Sequence, residues 1–343
     1  MLKTASHLLI STLILTFAVL AQDTEPATDE HVCNDEFAKS LVDQQVAESR
    51  SVAETDKRVR VLTKSADFLW KFDQPRAREY FTEAYKVATD RFKEKGFERK
   101  EFGGGISTQL PDYRFEVVKA IAKHDAAWAR KLSEELLKEY EETAKDRSPL
   151  DQGREVDSLM NIALESIQTN PALSWYIYRR LMRSELEHQW FWHLFSIAGK
   201  DRAFADQLYS ELLVSHANAA PRKVNFLSAY AFGTPRIFGY EGGQYVAFVP
   251  EGYTPRRQLQ PRFLDLFIRR ADAFASDPAN FTAAPAPNRM PEAVYIVSAA
   301  AEMEPIVMQT FPQFLPRLQA VRAKTSAMLS EQDRKNMSDS EKR

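Results

Sequence analysis

The chain has 343 residues, 44% of them of apolar type and 27% charged, and its 46 Lys and Arg against 48 Asp and Glu leave a formal net charge of −2. That apolar content excludes a disordered chain, and the charge balance supplies no basic field for nucleic acid or for an anionic membrane surface. Cys33 is the one cysteine, so an intramolecular disulfide is excluded and the fold must rest on its core.

Residues 1–21 read as a secretory signal peptide, with Lys3 in a short positive start, an apolar run over 8–20 and a Val19-Leu20-Ala21 cleavage site before Gln22. The run falls short of the roughly 20 residues that a membrane-spanning helix needs. An exported protein is therefore expected, periplasmic or extracellular, soluble and free of the membrane once the signal is removed. Residues 22–36 follow as a flexible acidic leader, carrying Asp23, Glu25, Asp29, Glu30, Asp35 and Glu36 with no Lys or Arg.

From 37 to 330 the periodicity is helical and a single domain is expected. Val59, Leu62, Ala66 and Leu69 step by three and four along one helix face. One twelve-residue pattern then recurs at 73–84, 125–136, 170–181 and 201–212. Each copy opens on a helix-capping side chain, Asp73, Asp125, Asn170 or Asp201. A small residue follows (Ala77, Ala129, Ser174, Ala205), then a larger one (Tyr80, Leu132, Ile177, Leu208), then a third (Ala84, Leu136, Leu181, Leu212). An amphipathic segment precedes each copy, over 59–70, 115–122, 156–167 and 191–198. The unit is thus two antiparallel helices joined by a short turn. One hairpin buries too little to offset a backbone entropy cost of about 1–2 kcal/mol per residue, so the hairpins must stack and share a core.

Insertions over 96–112 and 141–153 interrupt the spacing. After 230 a long loop, 231–262, is rich in Gly, Pro and aromatics, with a short hairpin expected around 245–249. Helix resumes over 264–274, a Pro/Ala-rich connector covers 276–291, helices follow near 292–303 and 314–330, and 331–343 reads as a polar tail.

Ala77, Phe81 and Ala84 resemble the second helix of the tetratricopeptide repeat, and Ala205, Tyr209 and Leu212 form a looser copy. The first helices lack that family's Trp, Leu-Gly and Tyr pattern, and the cap spacing is not constant. The resemblance implies a TPR-like all-α fold, an α-α superhelix of stacked antiparallel helix hairpins, right-handed, that binds a protein or peptide rather than catalysing a reaction.

Chemical constellations are sparse. Glu185-x-x-His188 would set two metal-ligand types on one helical face, but a di-iron carboxylate site needs a second such pair and none occurs. His188 and His193 splay around a helix, and His124, at a turn before a cap, reads as a helix-end residue bonding free carbonyls. Cys33 sits in an acidic segment that offers no positive field to activate a thiol. Glu48-Ser49 resembles the Glu-Ser of lytic transglycosylases, without that family's Gly-Leu-Met-Gln stretch downstream. The glycines at 103–105 read as a flexible connector, lacking the Lys and the preceding strand of a phosphate loop. Neither a metal nor a cofactor is implied.

Two clusters point to binding. Residues 174–195 concentrate Trp175, Tyr176, Tyr178, Trp190, Phe191 and Trp192, and Trp175, Tyr176 and Ile177, about 100° apart along a helix, cannot all face the core. In the long loop Tyr240, Tyr245 and Tyr253 alternate with Arg236, Arg256, Arg257 and Arg262, residue types favoured at interface hot spots. The candidate binding residues are Arg236, Tyr240, Tyr245, Tyr253, Arg256, Arg257, Trp175 and Trp192. The expected function is an exported, non-catalytic scaffold for a protein, peptide or glycan partner, without nucleic acid. The alternative is a helical-toroid enzyme acting on polysaccharide, for which Tyr240, His193 and Arg236 are the nominees.

Overall fold

The computed structural model describes residues 35–96, 99–102, 106–109, 111–143, 149–234, 236–240, 243–281 and 291–341. The signal, most of the acidic leader with Cys33, and much of the Pro/Ala connector lie outside them. The described chain divides at Ser51 into two units. The first holds helix α1, Asp35–Ser49. Glu48 is exposed there and accepts a hydrogen bond from Gln44 Nε2 at 2.8 Å.

The second unit is an all-α stack of antiparallel helix hairpins, an α-α superhelical arrangement. Four hairpins come first: α2 (Thr55–Leu69) with α3 (Gln74–Lys95), α4 (Tyr113–Ala122) with α5 (Ala126–Thr143), α6 (Pro149–Ser166) with α7 (Pro171–Leu181), and α8 (Gln189–Lys200) with α9 (Arg202–Ser215). Cross-pairs show the antiparallel sense. Arg58 near the start of α2 meets Glu83 on α3 at 2.8 Å, and Arg114 at the start of α4 reaches Glu139 late in α5 at 2.7 Å. Ser174 and Tyr178 on α7 donate to the carbonyls of Ala163 and Met160 on α6.

All four cap residues act as the sequence indicates. Asp73, Asp125, Asn170 and Asp201 accept from the backbone N–H three residues on, at 2.9 to 3.2 Å. The twelve small and large pattern residues named above are all buried. Burying each Leu or Ile of that set contributes about 1.5–3 kcal/mol, and the small positions admit the close helix approach that makes this burial possible.

Neighbouring hairpins stack in parallel. First helices meet through Arg60 with Glu116, Lys123 with Asp67, and Lys200 with Glu165. Second helices meet through Arg78 with Asp125, Arg180 with Glu141, and Arg179 with Glu211. The last helices extend this plan after short helices α10 (Pro221–Asn225) and α11 (Ser228–Phe232). They are α12 (Gln260–Ser276), α13 (Glu292–Thr310), α14 (Leu315–Ala327) and α15 (Glu331–Glu341). α12 and α14 run parallel, joined by Arg317 with Asp265 and by Lys324 with Asp272, while Arg322 ties α14 back to Glu304 on α13.

Several local expectations need correction. The insertion after α3 pairs two strands, β1 (Arg99–Phe102) and β2 (Ile106–Gln109), rather than forming a plain connector. The residues around 331–341, expected as a tail, form a polar helix. Glu185 lies in the link before α8, outside any helix, so the helical Glu-x-x-His face does not exist. His124 bonds the Asp67 carboxylate at 2.5 Å and stacks on Trp70 instead of reaching helix carbonyls. Both contacts lie across the hairpin stack, invisible to local reasoning.

Candidate functional site

Helix α11 ends on Gly233 in the left-handed region, φ 65°, and a Cβ there would stand 3.0 Å from Pro255 Cδ. Only glycine tolerates both the dihedral and the approach without strain. Gln260 Nε2 donates to the Ala231 carbonyl at 3.0 Å, so the two ends of the long loop are stitched together. Between them strands β3 (Arg236–Tyr240) and β4 (Gly243–Ala247) pair antiparallel, earlier in the chain than the hairpin expected at 245–249. The register sets Arg236 opposite Ala247, Phe238 opposite Tyr245 and Tyr240 opposite Gly243. The side chains of Arg236, Tyr240 and Tyr245 lie outside the described residues.

The returning arm of the loop is fastened to the stack. The Tyr253 hydroxyl donates to the Tyr230 carbonyl at 2.6 Å and accepts from Arg202 Nη2 at 3.2 Å, while its ring meets Phe195 edge-on at 4.7 Å. Asp206 on α9 is the hub. Arg202 Nε is 3.0 Å from one carboxylate oxygen, which also accepts from the Tyr230 hydroxyl at 2.8 Å; Arg256 Nε is 2.7 Å from the other. Burial pushes the Tyr253 and Tyr230 hydroxyls well above the ordinary phenol range, with Asp206 raising both further, so both remain protonated donors.

The candidate binding residues therefore divide. Tyr253 is tied to the Tyr230 carbonyl and Arg202, and Arg256 to Asp206. Arg257 goes elsewhere, donating to the Thr310 carbonyl at 3.0 Å beside the Phe311 ring. Trp175 is half-buried, stacked on Phe204 at 4.3 Å under Arg179, and Trp192 is 39% exposed with its edge on Phe191. Of the other rings in that cluster, Tyr178, Trp190 and Phe191 are core.

An open cleft of about 410 Å³ lies where α7, α9 and α12 meet. Its walls are Arg179 of α7 and Met182 at its C-terminal end, the outer face of α9, and Arg262 of α12. Along α9, Gln207, Ser210 or Glu211, and Val214 step by three and four, outside the buried stripe of Leu208 and Leu212. Val214 is 77% exposed. Glu211 is held by both Arg179 nitrogens at 3.0 Å, a bidentate grip that depresses its pKa. Arg262 is exposed, with no ion pair or hydrogen bond among the described residues. Sequence reasoning placed Arg262 in the loop cluster but missed Val214. The signal was available: Leu212, Leu213 and Val214 are consecutive, and three successive apolar residues cannot share one helix face.

Of the catalytic nominees, only His193 has a described side chain. It is 8% exposed, burial lowers its pKa to about 4, and its Nδ1 has no partner. One turn earlier on α8, Gln189 lies against α6. There the Gln189 amide would stand 3.0 Å from a Cβ on Gly153. Among the described residues no three His, Cys, Asp or Glu side chains gather as a metal site, and no helix is long and apolar enough to cross a membrane. No family model matches the chain, and no curated protein or solved structure matches it significantly.

Proposed function

We propose that the protein is an exported, non-catalytic helical scaffold that binds a protein or peptide partner. Export rests on the signal-like residues 1–21, and binding rests above all on the cleft between α7, α9 and α12. That cleft combines an exposed Val214 with an Arg262 that has no ion pair or hydrogen bond among the described residues. Elsewhere the cations on these helices are committed: Arg179 to Glu211, Arg202 to Asp206, Arg269 to Asp265. A volume near 410 Å³ is in the range of roughly 300–1,000 Å³ typical of ligand clefts, so it receives a short segment rather than a domain face. A polysaccharide-acting enzyme is the weaker reading, because the nominee His193 is buried.

The test is selection of a displayed random-peptide library on the purified chain lacking residues 1–21. The expected result is enrichment of binders that Val214→Glu abolishes while the helical spectrum stays unchanged. No enrichment over a blank surface, or binders indifferent to Val214→Glu, would refute the reading. The same surface probed with a glycan array decides between peptide and glycan.

A further inference from the structure

We infer that the occupant of the α7–α9–α12 cleft is an acidic peptide segment, whose apolar side chain covers Val214 while a neighbouring Asp or Glu carboxylate pairs with Arg262. The inference deepens the scaffold reading and rests on it. Charge accounting along the two helices that flank Arg262 carries the argument. Each α9 carboxylate is already ion-paired, Asp206 with Arg202 and Arg256 and Glu211 with the two Arg179 nitrogens. The α12 carboxylates are ion-paired too, Asp265 with Arg269 and Arg317 and Asp272 with Lys324. Arg262 thus faces the cleft as a cation to which the fold assigns no carboxylate, in the first turn of α12, where the helix dipole adds positive potential. A guanidinium presents a planar fork that matches a carboxylate with two parallel hydrogen bonds.

The apolar half of the site is as specific. Met182 lines the floor, Val214 projects into solvent, and the intervening Ser210 and Ser215 hydroxyls already donate to the Asp206 and Met182 carbonyls. Those serines therefore offer few free donors, and a sugar, which needs many, is poorly served. An amphipathic segment with one apolar anchor and one acid is well served. On the opposite wall Arg179 is already engaged by Glu211 and offers no free cation there, which leaves Arg262 as the site for the acid.

The experiment measures fluorescence anisotropy of labelled short amphipathic peptides with the chain lacking residues 1–21. Each carries a central Leu and, one helical turn away, either Glu or Gln, with the C-terminus free or amidated. The Glu series is expected to bind about tenfold tighter than the Gln series. That preference should shrink with added salt, disappear in Arg262→Gln and return in part in Arg262→Lys. Val214→Glu should weaken both series. Equal binding of Glu and Gln peptides, a preference that survives Arg262→Gln, or a preference that follows the free C-terminus instead of the side chain would each overturn the inference. If no peptide of this panel binds while the displayed library yields Val214-dependent binders, the acidic-segment inference fails and the scaffold reading stands. Failure of both assays removes both.

Discussion

Asp206 provides the sharpest test of how the long loop is used. Replacing it with Ala leaves the Tyr230 hydroxyl, Arg202 and Arg256 without their common acceptor. Losing one partner of a fully buried ionic network costs about 3–5 kcal/mol. Here the Asp206 side chain is 13% exposed but that of Arg256 is 54% exposed, so solvent recovers part of the loss. The expected destabilisation is about 2–3 kcal/mol, a fall in thermal midpoint of roughly 3–5 °C for a domain of this size. The assay is thermal unfolding in a double-mutant cycle with Arg256→Ala, together with hydrogen exchange over 248–258. Arg256→Ala should cost under about 1 kcal/mol alone and almost nothing in the Asp206→Ala background, and Asp206→Ala should raise exchange throughout the returning arm. Full additivity, or unchanged exchange over 248–258, would refute the claim that Tyr253 and Arg256 fasten the loop.

Further expectations concern the stack. Asp157 titrates near 6 in the folded chain because burial disfavours its charged form, so the native state is penalised above that pH and the penalty vanishes below its ordinary value. Asp157→Asn should therefore stabilise the protein by about 1–2 kcal/mol at pH 8, allowing for partial solvent access, and by nothing near pH 3.5, as read by urea unfolding. His193 behaves oppositely: burial lowers its pKa to about 4, so stability is lost as pH falls from 6.5 toward 4. In His193→Leu that loss should be absent, making the variant more acid-resistant than the parent; an identical pH profile would contradict the buried placement. Asp201→Ala should cost about 1 kcal/mol through the lost cap of α9, and Leu208→Ala about 2–5 kcal/mol through a core cavity, both measured by chemical denaturation.

Local chemistry made much of the fold legible. The caps Asp73, Asp125, Asn170 and Asp201 act within three residues of themselves, and the small-then-large spacing after each cap is a property of one helix, so both survive unchanged into the folded chain. What depended on distant partners was not legible. Tyr253 and Arg256 look like hot-spot residues until Arg202 and Asp206, some fifty positions earlier, engage them in turn. His124 finds Asp67 only because first helices stack in parallel. The β1–β2 pairing escaped notice because Arg99, Lys100, Glu101 and Phe102 carry no alternation of apolar and polar residues. Trp192 and Trp175 were legible in part, since consecutive aromatics must point in different directions, and one is indeed exposed while the other is half-buried.

The shared core is the claim on which the rest depends, and the hairpin α6–α7 tests it most directly. Residues 149–182, produced alone, keep the Ser174 and Tyr178 bonds to the Ala163 and Met160 carbonyls but lose the flanking hairpins that bury their outer faces. A chain of this size rarely holds a core without help from disulfides, metals or a partner. Far-UV circular dichroism of the isolated hairpin should show little helix and no cooperative melt, while the full chain unfolds cooperatively. A strongly helical, cooperatively melting monomer of residues 149–182 would contradict the account.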